Sequence, residues 1–311
     1  MANKYLTMLD LAKRTGGSAV VGLIEENANV APEFNIVPVR SIAGTTFRTN
    51  VRKSLPATQF RNVNEGTETV KSEYAQELSQ TFVIDDQLEV DTAVVEAEDP
   101  EGRPGILADE ASGVMQSVML HVGSQFYYGT ANDTKGFQGV ENFVDSSMIV
   151  DAGGTTGSTG SSIYGVSFGR QGVNFIAGNK SSLRLGRWQK QQITRSSKKL
   201  MAWVNNLQGW LGLTFGHVKS VGRIKDCTED SGKGFTDLLT GKLLEKFPTG
   251  MTPDVLFCTR RSRRQLHESR YATSNASTTG IGTVSAPPLP SESLGVRLVT
   301  TDSLVDTEAL T

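Results

Sequence analysis

Histidine and cysteine are scarce in this chain of 311 residues, which contains three histidines and two cysteines. His121, His217 and His267 lie far apart and show none of the spacings typical of metal sites. Cys227 and Cys258 suit a reducing compartment, although their number alone would permit a disulfide. We therefore expect no metal and no other cofactor.

Long apolar runs and an excess of one charge are also missing. No run approaches the roughly 20 apolar residues that span a bilayer, so we expect no contact with a membrane. Residues 1–17 are amphipathic and lack the apolar core of a signal peptide, which favours folding in the cytoplasm. The net charge of -2 argues against a bulk nucleic-acid binder.

The most informative feature that is present is a helical pattern over residues Pro104–Tyr128. Proline suits a first helical turn, and a helix of this length would run roughly 35 Å. Such a helix can serve as the spine of a domain. Its apolar residues recur at intervals of three and four and predict one buried face: Leu107, Ala111, Val114, Met115, Val118, Met119, Val122 and Phe126.

The segment before this helix, residues 45–98, has no apparent core of its own. Apolar and polar residues alternate from Thr46, a polar loop follows near residues 55–66, and a returning strand begins near residue 69. An isolated two-stranded ribbon is marginally stable in water, so a neighbouring subunit must hold it. A spine helix with a projecting ribbon indicates a building block of an assembly.

The remaining pattern predicts a mixture of helices and strands. Residues 152–162 (AGGTTGSTGSS) have the composition of a flexible surface loop, and residues 273–290 that of a Ser/Thr/Pro loop. Helices are predicted at 6–14, 19–27, 235–247 and 262–271. Strands are predicted at 173–177, 202–204, 211–215, 218–224, 254–259 and 294–300.

Two short motifs could carry chemistry. Residues 165–169 (GVSFG) match the nucleophile elbow of serine hydrolases, with Ser167 as nucleophile and His217 or His267 as the base. The elbow requires a strand before the serine and a helix after it, whereas here a loop precedes and a strand follows. Residues 178–182 (GNKSS) resemble a phosphate loop, but Asn179 stands where that motif needs glycine.

The strongest basic cluster comprises Arg260, Arg261, Arg263 and Arg264. Such a cluster can contact the phosphates of DNA, or it can pair with acidic groups of a neighbouring subunit. The absence of interleaved aromatic residues argues against base stacking. We favour an intersubunit role, with contact to DNA as the alternative.

Several segments in a fixed order over nearly the full length carry a family resemblance. They are residues 6–14 (LTMLDLAKR), 45–56 (TTFRTNVRKSLP), 126–130 (FYYGT) with 135–139 (KGFQG), 208–213 (QGWLGL) with 218–224, 256–266 (LFCTRRSRRQL), and 294–302 (LGVRLVTTD) through 307–308. In these segments the chain resembles the major capsid proteins of tailed phages (Caudoviricetes), and more narrowly a family of short-tailed phages and prophages.

The resemblance implies an α+β capsid fold in four parts. These are an N-terminal arm (1–45), an extended loop (46–98), the spine helix of a peripheral domain (99–134) and an axial domain with returning peripheral strands (135–311). It also implies a structural protein without enzymatic activity that assembles into pentamers and hexamers.

Those capsomers would close an icosahedral shell around double-stranded DNA. Expected partners are other copies of the chain, a portal, and a decoration or scaffolding protein, with only non-specific contact with DNA. The expected location is the virion capsid, assembled in the cytoplasm of a bacterial host. Two alternatives remain: a nanocompartment shell protein holding enzyme cargo, and a serine hydrolase.

Overall fold

The computed structural model describes residues 31–98, 104–178, 183–277 and 288–310. The helices predicted at 6–14 and 19–27 lie outside these ranges, as do residues 179–182 of the phosphate-loop motif.

The described residues form six α-helices and fourteen strands. The helices are α1 Glu33–Ile36, α2 Thr92–Glu98, α3 Pro104–Tyr128, α4 Val140–Phe143, α5 Asp237–Lys246 and α6 Arg260–Ser277. The strands are β1 Val39–Ser41, β2 Thr46–Ser54, β3 Glu73–Gln80, β4 Phe82–Asp91, β5 Ile149–Asp151, β6 Ser161–Val166, β7 Val173–Ala177, β8 Arg184–Leu185, β9 Gln189–Arg195, β10 Lys198–Phe215, β11 Val221–Cys227, β12 Val255–Cys258, β13 Glu292–Ser293 and β14 Val296–Thr300.

The spine helix α3 has the predicted bounds. Val118, Val122 and Phe126 are buried, as expected for one face. Met119 departs from the prediction because its side chain is 37% exposed. It follows Val118 by one residue, a rotation of about 100° around the helix, which carries it off the buried stripe. The helix ends where Gly129 takes a φ of +54°, a conformation that favours glycine.

Sheet 1 is built around the long strand β10 and has the order β1-β7-β10-β4, with β8 and β9 also on β10. The sequence predicts two short strands at 202–204 and 211–215, but β10 is a single strand of 18 residues. Polar residues and glycines interrupt its apolar pattern. Antiparallel pairing with β4, from Ala202 opposite Asp91 to Leu211 opposite Phe82, keeps the strand continuous.

Sheet 2 has the order β13-β14-β12-β6-β11-β5 and is covered on both faces. The end of α3 packs on one face, where the ring of Phe126 lies 6.1 Å from that of Phe257 in β12. The same ring lies 5.4 Å from Phe175 in β7, so α3 joins the two sheets in one core. On the other face, Leu243 of α5 and Leu266 of α6 belong to a second core with this sheet.

Three predicted boundaries are wrong. Ser161 and Ser162, assigned to a flexible loop, are fully buried in β6, because hydrogen bonds replace the water their hydroxyls lose. Helix α6 continues to Ser277 into the segment predicted as a loop, since no glycine or proline occurs before Gly280. Strand β11 starts at Val221, because residues Val218–Ser220 form a 3₁₀ turn.

The projecting ribbon consists of β2 and β3, which pair from Thr46 opposite Gln80 to Ser54 opposite Glu73. Among the described residues, neither strand pairs with any other strand. The next strand, β4, leaves the ribbon and joins sheet 1. We call residues 55–72, between β2 and β3, the ribbon tip.

Candidate functional site

The basic cluster opens helix α6, directly after the buried strand β12. Two of its members reach outward and pair with carboxylates of the same chain. Arg260 lies 2.9 Å from Asp302, and Arg264 contacts both Glu229 and Glu268. Their side chains are 67% and 49% exposed, so both remain accessible from outside the chain.

The other two arginines of the cluster turn inward and bind backbone carbonyls. The guanidinium of Arg261 donates to the carbonyls of Thr159 at 2.7 Å, Cys227 at 3.2 Å and Asp306 at 3.2 Å. Arg263 donates to the carbonyl of Pro290 at 2.8 Å. Arg261 therefore connects three segments of the fold. The intersubunit or DNA-facing role of the cluster stays a prediction, and Arg260 and Arg264 are the members placed to fulfil it.

A buried polar network that the sequence analysis missed is centred on Arg223 of β11. Its guanidinium lies 2.7 Å from Glu141 and 3.3 Å from Glu308, and it donates to the Ser162 hydroxyl at 2.9 Å. Glu308 also accepts a hydrogen bond from the Tyr128 hydroxyl at 2.7 Å. The side chains of Arg223 and Glu308 are each 9% exposed. Strand β11 (VGRIKDC) also contains Lys225 and Asp226, so its sequence does not single out Arg223 as the centre of a buried network.

A second buried network is centred on Glu33 of α1. Its carboxylate accepts hydrogen bonds from the Tyr127 hydroxyl at 2.8 Å and the Ser303 hydroxyl at 3.4 Å. Burial raises the pKa of Glu33 above its usual range, although the hydrogen bonds oppose this effect. Burial also raises the pKa of Tyr127 well above its ordinary value, so this hydroxyl stays protonated and donates.

Both networks include side chains of the C-terminal segment 301–310, which we call the clasp. The backbone of the clasp pairs with the residue just before β6, because Gly160 and Glu308 exchange hydrogen bonds of 3.1 and 2.9 Å. Ser303 contacts the start of the described chain, and Tyr128 at the end of α3 accepts a hydrogen bond from the Val305 amide at 3.0 Å. The clasp thus fixes the spine helix against sheet 2.

The ribbon tip exposes several large apolar side chains. Phe60 and Val63 are fully or almost fully exposed, and Leu55 is 74% exposed. Within the described residues, none of the three joins an apolar core. The ribbon tip is therefore a candidate contact surface for another molecule.

The serine-hydrolase arrangement suggested by residues 165–169 is not assembled among the described residues. Ser167 is 8% exposed and follows strand β6, contrary to the loop that the sequence indicated. A strand, β7, follows it where the nucleophile elbow needs a helix. No hydrogen bond joins the Ser167 hydroxyl to a histidine in the described part of the chain. His121 instead lies 3.6 Å from Asp133, and His217 accepts a hydrogen bond from the Lys219 amide.

The cysteines are buried free thiols, and burial raises the pKa of each to about 12. Across residues 31–98, 104–178, 183–277 and 288–310, no three His, Cys, Asp or Glu side chains are grouped to hold a metal ion. The helices of these ranges include none that is long and apolar enough to cross a membrane.

Comparison with solved structures identifies the fold. The chain superposes on the structure of bacteriophage Epsilon15 with a TM-score of 0.78 and 17% identity, covering 100% of this chain and 98% of that chain. It superposes on the capsid of bacteriophage JBD30 with a TM-score of 0.52 and 11% identity, covering 92% and 96%. The predicted α+β capsid fold is confirmed. Among curated proteins, none matches the sequence significantly.

The described residues thus have the fold of phage capsid shell proteins. The chain belongs to the family "Major capsid protein GP7", whose model matches residues 18–311. The predictions of a major capsid subunit, of self-association into a shell and of a place in the virion capsid are confirmed. A phage capsid family favours this function over a nanocompartment shell or a hydrolase.

Proposed function

We propose that this capsid protein assembles as pentamers and hexamers into an icosahedral shell that encloses double-stranded DNA. Assembly takes place in the cytoplasm of the bacterial host, with a portal and a scaffolding or decoration protein as further partners. The protein has no enzymatic activity and contributes only structure. Its proposed parts are the arm 1–45, the extended loop 46–98, from which β4 returns to sheet 1, the spine helix of the peripheral domain (99–134) and the axial domain with returning peripheral strands (135–311).

The ribbon is the observation that carries this proposal. Strands β2 and β3 pair with each other alone among the described strands, and the tip presents Leu55, Phe60 and Val63 to solvent. A two-stranded ribbon of this kind lacks the burial that would stabilise it in one subunit. A neighbouring copy in a capsomer supplies the missing surface, and a closed shell supplies it to every copy.

Electron microscopy of the protein expressed alone tests the proposal. We expect closed shells or capsomer-based sheets and tubes, in which five- and sixfold units are visible. A protein that remains monomeric at high concentration, with and without a co-expressed scaffold, contradicts it. Nuclease-treated particles from infected or induced cells should retain double-stranded DNA; particles filled with protein cargo would support the nanocompartment instead.

The variant Ser167→Ala distinguishes the capsid function from the serine-hydrolase alternative. Ser167→Ala should leave both particle yield and any ester-hydrolysing background of the preparation unchanged. Loss of a measurable hydrolytic activity in this variant would contradict the absence of catalysis.

A further inference from the structure

A cleft of about 850 Å³ separates the base of the ribbon from the edge of sheet 1. Strand β2 forms one wall, and residues 170–172 with Gly216 and His217 form the other. Four arginines line it: Arg40, Arg48, Arg52 and Arg170. No aspartate or glutamate is among its lining residues, all of which belong to the described chain. We call it the basic cleft.

The cations of the basic cleft have no anionic partner within the described chain. Arg40 lies over the ring of Phe47 at 5.1 Å, and Arg52 lies over the ring of Tyr74 at 5.4 Å, with a hydrogen bond of 3.3 Å to the tyrosine hydroxyl. These contacts orient the guanidinium groups but leave their charge uncompensated. Like charges between two walls of low dielectric concentrate a positive potential, which attracts an anion from outside the chain.

We propose that the basic cleft receives carboxylates of a second copy of this chain. The inference rests on the proposed shell function, in which copies lie side by side. Three exposed carboxylates of the same segment, Glu68, Glu73 and Asp86, have no cation partner among the described residues. Within the described residues, each copy therefore carries unpaired cations in the cleft and unpaired anions on the ribbon tip, β3 and β4. Side-by-side copies can match the two sets.

A DNA duplex fits this cleft less well than a polypeptide segment. The duplex is stiff over about 150 base pairs and cannot fold its backbone into a gap between two protein walls. A strand or loop of a neighbour can insert carboxylates there side chain by side chain. Each copy also contains 33 aspartate and glutamate residues, which provide acidic groups for such pairs.

The double variant Arg48→Gln/Arg52→Gln tests the pairing. We expect at least a tenfold lower yield of shells from purified subunits without DNA. Wild-type assembly should weaken as salt rises from 50 to 500 mM, because salt screens the pairs, and the variant should lose most of this dependence. The control Lys199→Gln/Lys242→Gln removes the same charge from exposed sites outside the cleft and should assemble like wild type.

Three other results for the double variant Arg48→Gln/Arg52→Gln overturn the inference. Wild-type yield of the cleft variant without DNA shows that the arginines do not join copies. Normal empty shells that fail to retain DNA identify nucleic acid as the occupant. A lower urea midpoint of the unassembled variant shows that the arginines serve the fold of their own subunit. Failure of the wild type itself to form shells contradicts the proposed function instead.

Crosslinking gives a readout that folding defects do not mimic. Arg48→Lys and Arg52→Lys keep the charge and introduce amines, which a carbodiimide joins to carboxylates in contact. Shells assembled from mixed ¹⁴N and ¹⁵N subunits should yield linked peptides that combine both labels, joining position 48 or 52 to a carboxylate of the other copy. Links confined to one label, or no link at these positions, overturn the inference.

Discussion

Replacing Arg223 by methionine should strongly destabilise the unassembled subunit. The change keeps an unbranched side chain in β11 but removes the cation between Glu141 at 2.7 Å and Glu308 at 3.3 Å. Glu308 is 9% exposed and would be left as a buried carboxylate without its charge partner. Removing one partner of a buried ion pair costs about 3–5 kcal/mol. Glu141 is 31% exposed, so solvent screens its share, and we expect the lower end of this range.

Urea unfolding of dilute, unassembled subunits, followed by tryptophan fluorescence, measures this loss. Glu308→Gln should cost less, about 1–3 kcal/mol, because the amide still accepts the hydrogen bond from Tyr128. The double variant should be less destabilised than the sum of the two, since the second change removes an already unpaired group. Arg260→Met, at an exposed pair with Asp302, is the control and should cost within about 1 kcal/mol.

A loss below about 1 kcal/mol for Arg223→Met would refute this reasoning, because it would mean that water or a rearranged clasp compensates the carboxylates. Additive effects of the two changes would likewise show that the pair does not act as a unit.

Four further outcomes follow from the same structure. Deleting residues 52–71 should leave a soluble, folded subunit that fails to close shells in electron microscopy; normal particles would show that the ribbon is dispensable. Val118→Asp places an unpaired carboxylate at a position that is 5% exposed, so we expect a loss on the order of 3–5 kcal/mol and insoluble protein, whereas wild-type solubility would contradict the buried face. The pKa of Glu33 is raised in the folded protein, so the contribution of Glu33 to stability is complete below its unfolded pKa and is lost as pH rises through its folded pKa. Glu33→Gln should therefore melt at a higher temperature than wild type at neutral pH and flatten the dependence of stability on pH in that range. An unchanged pH profile would refute this prediction. Arg261→Gln/Arg264→Gln should lower the yield of shells assembled without DNA if the basic cluster acts between subunits. Because Arg261 also binds three carbonyls within its own chain, the single variant Arg264→Gln, provided that its urea midpoint is unchanged, is the decisive test, and an unchanged yield of this variant rejects the intersubunit role.

The elements that sequence predicts well are those whose pattern is local. The bounds of α3 follow from Pro104, from apolar residues at helical spacing and from the glycine after Tyr128. Strand β12 is a short apolar run because sheet 2 is covered on both faces. In both cases the residues that decide the structure lie in one continuous stretch of the sequence.

The polar networks escape prediction because their members are distant in sequence. Arg223 and Glu308 are 85 residues apart, and Tyr127 and Glu33 are 94 apart. Each looks like an ordinary surface charge or a core aromatic when taken alone. Only the pairing of β11 with β6, and the return of the C-terminal segment over α3, brings them together. The same holds for β10, whose continuity depends on its partner β4.

Assembly surfaces escape prediction for a different reason. Hydrophobic periodicity reports burial inside one chain, and strands β2 and β3 of the ribbon contain no buried residue on either face. The exposure of Phe60 and Val63, and the lack of an anionic partner for the arginines of the basic cleft, are seen only when the contacts among the described residues are known. These exposed apolar side chains and these arginines both lie on or beside β2 and β3. By contrast, each arginine of the basic cluster has a partner in its own chain: Arg260, Arg261, Arg263 and Arg264. We therefore expect the main intersubunit contacts at the ribbon and not at the basic cluster.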